Sequence, residues 1–388
     1  MGIERFFNKL REQFDIINTT EYPYTKLLSD HIFFDFNSII PTSSQRLMND
    51  LNMLLKYILI LKNTGNKDNN INSIIKKYNI TDLNIDKLIS LDESDIITSF
   101  NEMFDTLTIN QYVVKLVKNN VLFILENNFE TTKIKTIYIG IDGVPSKSKM
   151  LEQKRRRVMG EFLELMKLQI ADKHKNLLDN NDKGYNRYLF EKNKTKWSKN
   201  FISPCTNLMN LMQNQLKSED YIKKLINITQ NNDLKYIVSG YVDNGEAEKK
   251  IINYINNNEM TGNLTIYSPD ADVILLSLLI KDNNFKNTYI LRHDQQLSET
   301  TKTHHEVYNI IYIDLLKSTL FEYITENLKR KININIQKVI EDIVFVFTLF
   351  GDDFLPKILS YDVNNDIELL LKTYSKYLSM VTSENDMY

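Results

Sequence analysis

Six short runs rich in apolar, β-branched and aromatic residues interrupt an otherwise polar chain: HIFFDF at 31–36, KTIYIGID at 135–142, KYIVSGY at 235–241, LTIYSPD at 264–270, NTYILR at 287–292 and NIIYID at 309–314. Their length and composition predict buried strands. Between them, apolar positions recur every three to four residues over 43–62, 107–127, 149–170, 246–257 and 336–350. That period predicts helices, and the alternation of the two patterns predicts an α/β fold, a mostly parallel sheet flanked by helices. The stretch 63–72 carries five Asn in ten residues and reads as a solvated loop. It falls in a helical insertion expected at about 60–130 of a single domain spanning 1–388, with a polar loop at about 172–200 and a helical C-terminal segment over 336–388.

In parallel α/β sheets ligands bind beyond the carboxyl ends of the strands, so acids placed there carry more weight than acids elsewhere. Asp35, Asp142 and Asp270 each close one of the apolar runs. Singly, each reads first as an N-cap acceptor for a following helix. Three in the same position shift the reading toward one shared site. Asp272 follows Asp270 after a single alanine, and Glu246 and Glu248 open the helix at 246–257, again separated by alanine. At a strand-to-helix junction both members of such a pair can turn toward one centre. Ordinary first-turn acids complementing the helix dipole are the alternative for Glu246 and Glu248. A last cluster, FGDDFLP at 350–356, sets Asp352 and Asp353 after Gly351, which reads as a helix-ending residue.

Converging carboxylates repel one another and raise each other's pKa unless cations neutralise them. Hard oxygen donors without thiolates or a suitably spaced histidine pair favour Mg²⁺ or Mn²⁺ over zinc, two ions about 4 Å apart being the usual phosphodiester-cleaving arrangement. His304-His305-Glu306 is the only histidine cluster, and adjacent side chains diverge.

The segment 147–157 holds six basic residues and one acid. On a helix, Lys149, Gln153, Arg156 and Arg157 fall within about 100° of one another, while Lys154 and Arg155 point elsewhere. One face is thus suited to gripping a phosphate, with a nuclear-localisation signal as the other reading. Residues 172–200 carry nine Lys, Arg or His among four acids, with Tyr185, Tyr188, Phe190 and Trp197 interleaved. Either a surface loop or a stacking platform for nucleic acid has this composition.

Composition narrows the setting. The chain has 388 residues, 42% of them apolar, enough for a sizeable core, and a net charge of −2 that gives no global basic field. Glu4, Arg5 and Lys9 stand where a signal peptide needs apolar residues, and no apolar run reaches membrane-spanning length. Phe6 occupies the position where myristoylation wants Ser or Thr. The single Cys205 forms no internal disulfide, which points to a reducing compartment. The expected location is cytoplasmic, the host cytoplasm or virus factory if the protein is viral, with the nucleus left open.

In order along the chain, MGIERFF, FFDFNSII, IDGVPSKSKMLEQKRRR, FISPCTNLM, SGYVDNGEAEKKI, YSPDADVILL and FTLFGDDFLP resemble the signature blocks of the Xrn family of 5′-to-3′ exoribonucleases. The resemblance implies a PIN/5′-nuclease-like fold and a metal set of Asp35, Asp142, Glu246, Glu248, Asp270, Asp272 and Asp353. It also implies a pocket for the terminal 5′-phosphate of single-stranded RNA made by Lys149, Gln153, Arg156 and Arg157. The implied reaction is two-metal hydrolysis of 5′-monophosphorylated RNA to nucleoside 5′-monophosphates. The chain departs from the family at Pro41, where a histidine is usual, and at Asp352, where Asn is usual. It ends 35 residues after Asp353, before the family's second conserved region, so the site is expected to be more open or completed by another chain. A flap-type 5′ nuclease acting on DNA and a non-catalytic RNA-binding relative are the alternatives. A glycine-rich element expected after the last acids of a flap nuclease is absent, since 352–388 contains no glycine.

Overall fold

The computed structural model describes residues 6–14, 17–20, 26–65, 69–174, 197–281, 285–297, 304–329, 334–351 and 355–381. Among these, seven strands form one sheet: β1 Ile17–Thr20, β2 His31–Asp35, β3 Thr136–Gly140, β4 Lys235–Ser239, β5 Gly262–Tyr267, β6 Phe285–Leu297 and β7 His304–Tyr312, ordered β1-β7-β6-β5-β2-β3-β4. The pairings β6–β5–β2–β3–β4 are all parallel, and β7 and β1 add antiparallel partners at one end. The expected mostly parallel α/β architecture is present. No helix among the described residues is long and apolar enough to cross a membrane.

The two central strands explain the near-continuous apolar runs. Every residue of β2 and β3 is buried, as expected of parallel strands covered on both faces. Alternation sorts the side chains: Phe33, Tyr138, Ile266 and Ile290 enter one cluster with Ile251, Val273, Leu316, Val339 and Leu371 from the helices Ala247–Asn257, Asp272–Leu278, Ile313–Glu326, Ile336–Phe347 and Val363–Val381. Ile32, Phe34, Ile137 and Ile139 are turned the other way and are equally buried. At the amino-terminal edge of the sheet His31 ties strands together, its ring nitrogens 3.0 Å from Thr136 Oγ1 and from the Thr261 carbonyl. The acids lie at the opposite edge.

The chain divides into two compact units. The first comprises residues 1–38, 122–150 and 217–388 and holds the sheet; the second comprises 39–121 and 151–216. The second unit is helical where described. Its long helix Ile39–Thr64 packs against Asn69–Tyr78, Ile85–Ile89 and Glu93–Met103. Lys77 and Tyr78 converge on the Asp50 carboxylate, 2.5 and 2.6 Å away. The helix Lys147–His174 starts in the first unit and continues in the second. Lys149 is its one buried residue.

Candidate metal centre at the carboxyl ends of the strands

Register places the acids. Asp35 is the last residue of β2, 3% exposed, opposite Gly140 of β3. Asp142 lies two residues beyond β3, and Asp270 three beyond β5, which runs on the other side of β2. Ser268 joins two of them: its hydroxyl donates to Asp35 Oδ2 at 2.8 Å and accepts the Asp270 N–H at 3.2 Å. The Asp142 N–H donates to Asn37 Oδ1 at 3.1 Å. Its carboxylate accepts the Ala247 N–H at 2.8 Å, so it caps a helix, but one that begins more than a hundred residues later.

That helix, Ala247–Asn257, brings in the remaining pair. Glu246 is its N-cap residue, buried and without a capping bond of its own, and Glu248 lies in its first turn. The loops carrying Asp142 and Glu246 are joined by backbone bonds from Gly143 N–H to the Gly245 carbonyl and from Gly245 N–H to the Val144 carbonyl, 2.9 and 3.0 Å. Only glycine fits at 143, because a Cβ there would overlap the Asp243 carbonyl. Lys149 Nζ reaches Glu246 Oε2 at 2.8 Å, and Lys249 Nζ lies 3.6 Å from Oε1.

Mutual electrostatics place five of these acids together. Burial, then the charges of Asp142 and Asp270, pushes the Asp35 carboxyl up to about 8. Burial, then Asp35, Asp142 and Glu246, raises Glu248 well above the usual range. Asp142 is raised by burial and by Glu246, with Lys149 and Lys250 opposing. Burial would raise Glu246 as well, but a hydrogen bond from Glu248 and the Lys149 ammonium pull it below its ordinary value. Among the described residues, no three His, Cys, Asp or Glu side chains are arranged so that they could together hold a metal ion. The fit to a hard divalent cation rests on donor type and on charge, since buried oxygens that resist ionisation beside one another are relieved by a cation.

The other sequence-derived candidates are placed as follows. Asp272 opens the helix Asp272–Leu278 and is half-buried. Asp353 and Asp352 lie outside the described residues, as does most of 172–200; Gly351 before them has φ +80°. Gln153, Arg156 and Arg157 belong to the second unit and are half-buried, whereas Lys154 and Arg155 are exposed. Arg157 donates to Ser203 Oγ at 2.7 Å, and Arg156 Nε lies 3.7 Å from Glu152. Trp197 donates its indole N–H to Asn110 Oδ1 and packs against Phe201. Sequence reasoning passed over Ser268, Asn37 and Lys250. Only Lys250 left a signal, a lysine within the apolar stripe Ala247, Ile251, Ile255 of its helix.

Comparison with known proteins settles the family. The model of the XRN 5′-3′ exonuclease N-terminus matches residues 65–294, more than half of the chain. This chain belongs to the XRN 5′-3′ exonuclease family. The matched span includes Asp142, Glu246, Glu248, Asp270 and Asp272. The XRN-family chain is 38% identical over 202 residues to an Acanthamoeba polyphaga mimivirus protein provisionally named a 5′-3′ exonuclease, covering 51% of this chain and 31% of the relative. It is 27% identical over 270 residues to 5′-3′ exoribonuclease 1 of Saccharomyces cerevisiae, covering 66% of this chain and 16% of that protein. With 5′-3′ exoribonuclease 2 of Candida glabrata the identity is 28% over 273 residues, 63% of this chain and 26% of the relative. The aligned part is thus less than a third of each of these relatives.

Proposed function

We propose that this chain is a metal-dependent 5′-to-3′ exoribonuclease that hydrolyses 5′-monophosphorylated single-stranded RNA to nucleoside 5′-monophosphates. The observation that carries the reading is the electrostatic convergence of Asp35, Asp142, Glu246, Glu248 and Asp270 at one edge of the sheet. With Asp272 and Asp353 they form the donor set for two Mg²⁺ or Mn²⁺ ions. Bound there, such ions supply a water of lowered pKa and neutralise charge developing on the departing 3′ oxygen.

The chain's own residues do the rest. Ser268 and the Ala247 N–H hold the Asp35 and Asp142 carboxylates in fixed directions. In the reading proposed, Lys149, Gln153, Arg156 and Arg157 grip a terminal 5′-phosphate, and a grip sized for one phosphate disfavours triphosphorylated or capped ends through bulk and surplus charge. The mimivirus relative supports a viral setting, with action in the host cytoplasm.

The test follows nucleotide release from 5′-monophosphorylated RNA, 5′-triphosphorylated RNA and DNA of the same sequence, with Mg²⁺ or with EDTA. Release confined to monophosphorylated RNA, lost in EDTA and in Asp270→Ala, is the expected result. Cleavage of DNA flaps would replace the proposal with a flap nuclease, and RNA binding without cleavage would replace it with a non-catalytic relative.

A further inference from the structure

Lys250 is 8% exposed, and its ammonium donates to two backbone carbonyls, Ile141 at 2.8 Å and Gly240 at 2.7 Å. The parallel ladder between β3 and β4 closes with the bond from Ile141 N–H to the Ser239 carbonyl. Beyond it the two chains part, one turning into Asp142 and the other into the loop that leads to Glu246. The carbonyls of Ile141 and Gly240 are acceptors at that fork, and buried backbone acceptors require partners. Lys250 serves both from a helix whose first turn contains Glu248 and whose N-cap is Glu246.

One side chain therefore fastens three elements that each lead into a carboxylate of the cluster. Asp142 is the residue immediately after one of the clamped carbonyls. A hydrocarbon side chain of similar length would fill the same space yet take this donor from both carbonyls, leaving the two branches joined only further on, between Gly143, Val144 and Gly245 and between Asp142 and Ala247. The positive charge also faces Asp142 and Asp243, which favour it, while burial disfavours it. A buried ammonium is costly unless it is well bonded, and an apolar residue would serve packing alone.

We propose that Lys250 is a positioning residue of the metal centre: by holding the Ile141 and Gly240 carbonyls it fixes the backbone that carries Asp142 relative to the helix start that carries Glu246 and Glu248. The proposal rests on the reading of these acids as metal ligands. It assigns Lys250 no contact with RNA or with the reacting atoms.

The experiment titrates the full chain with Mn²⁺, reads free Mn²⁺ by electron paramagnetic resonance, and checks folding by circular dichroism melts in EDTA. Lys250→Met should fold and require at least tenfold more Mn²⁺ for half-occupancy. Lys250→Arg, which keeps charge and donors, should stay within threefold of the native chain. A folded Lys250→Met that binds Mn²⁺ within twofold of the native chain overturns the role while leaving the metal centre intact. Should Lys250→Met not fold, Lys250→Gln is judged by the same thresholds. If neither folds, Lys250 is a stability residue and the proposal fails. A native chain that binds no Mn²⁺ removes the metal-centre reading itself, and the proposal with it.

Discussion

The ammonium of Lys149 lies 2.8 Å from the carboxylate of Glu246, and their side chains are only 10% and 3% exposed. A residue singled out for gripping phosphate is thus joined to one singled out for gripping metal. Removing one member of a buried ion pair leaves the other charged without compensation. Lys149→Met should therefore destabilise the chain by roughly 3 kcal/mol, read from denaturant melts in EDTA. The double variant Lys149→Met with Glu246→Gln should recover much of that loss, because the stranded charge is gone. A single variant as stable as the native chain would show that Lys249, 3.6 Å from the same carboxylate, suffices alone.

Stability should depend on pH in a direction set by the raised acids. Asp35 is held up to about 8 by burial and by the neighbouring charges of Asp142 and Asp270. A group that binds its proton more tightly when folded favours the fold below its unfolded pKa, and the benefit disappears as pH rises through the folded value. Glu248 acts in the same sense. His31 acts oppositely: burial lowers its pKa, so its contribution is complete above its unfolded value of about 6.5 and lost on acidification. Between pH 7 and pH 8 the carboxylates act without opposition from His31, and the melting temperature in EDTA should fall across that window. Added Mg²⁺ should flatten the fall. A rising melting temperature would contradict the assignment of protons to the cluster.

Asp270→Asn removes one of the charges that raise Asp35. In EDTA at pH 8 this variant should melt higher than the native chain. It should also lose the thermal shift produced by Mn²⁺ and release no nucleotides. Gaining stability while losing activity is the expected behaviour of a site that holds like charges together against their repulsion. Equal melting temperatures would indicate that Asp142 and burial alone raise Asp35.

Gly143→Ala forces a methyl group against the Asp243 carbonyl at the point where the Asp142 and Glu246 loops are bonded together. Overpacking of this kind costs about 1–3 kcal/mol, and the backbone must open to relieve it. The variant should melt lower and bind Mn²⁺ more weakly than its stability loss alone explains. Native Mn²⁺ affinity in a destabilised but folded variant would show that the two loops need not be joined for the site to form.

Much of this was legible in the chain. The central strands β2 and β3 were readable because parallel strands covered on both faces must be apolar throughout, and the acids at or just past their ends stand out against that background, whereas the partly buried edge strand β4 was readable from its β-branched and aromatic content. β1, whose sequence is INTT, had no such signal, since it is an end strand whose identity comes from pairing with β7. β6 runs five residues past its apolar run, through HDQQL, because its far half is held by antiparallel pairing with β7. Ser268, Asn37 and Lys250 each act through a hydrogen bond to a group more than a hundred residues away in sequence, and no local pattern encodes such a partner. The basic helix was readable as a face, but which residue is captured by an acid was not, because Glu246 lies 97 positions beyond Lys149 and reaches it only through the sheet.

β2 lies between β3 and β5, and Asp35 is bonded to a serine 233 residues further along. At synthesis rates of roughly 5–20 residues per second, Asp35 leaves the ribosome about 10 to 50 seconds before that serine is added. A nascent chain short of Asp270 has no complete cluster, so the central strand is made first and its acid waits, without the serine that fixes it, for a strand made much later.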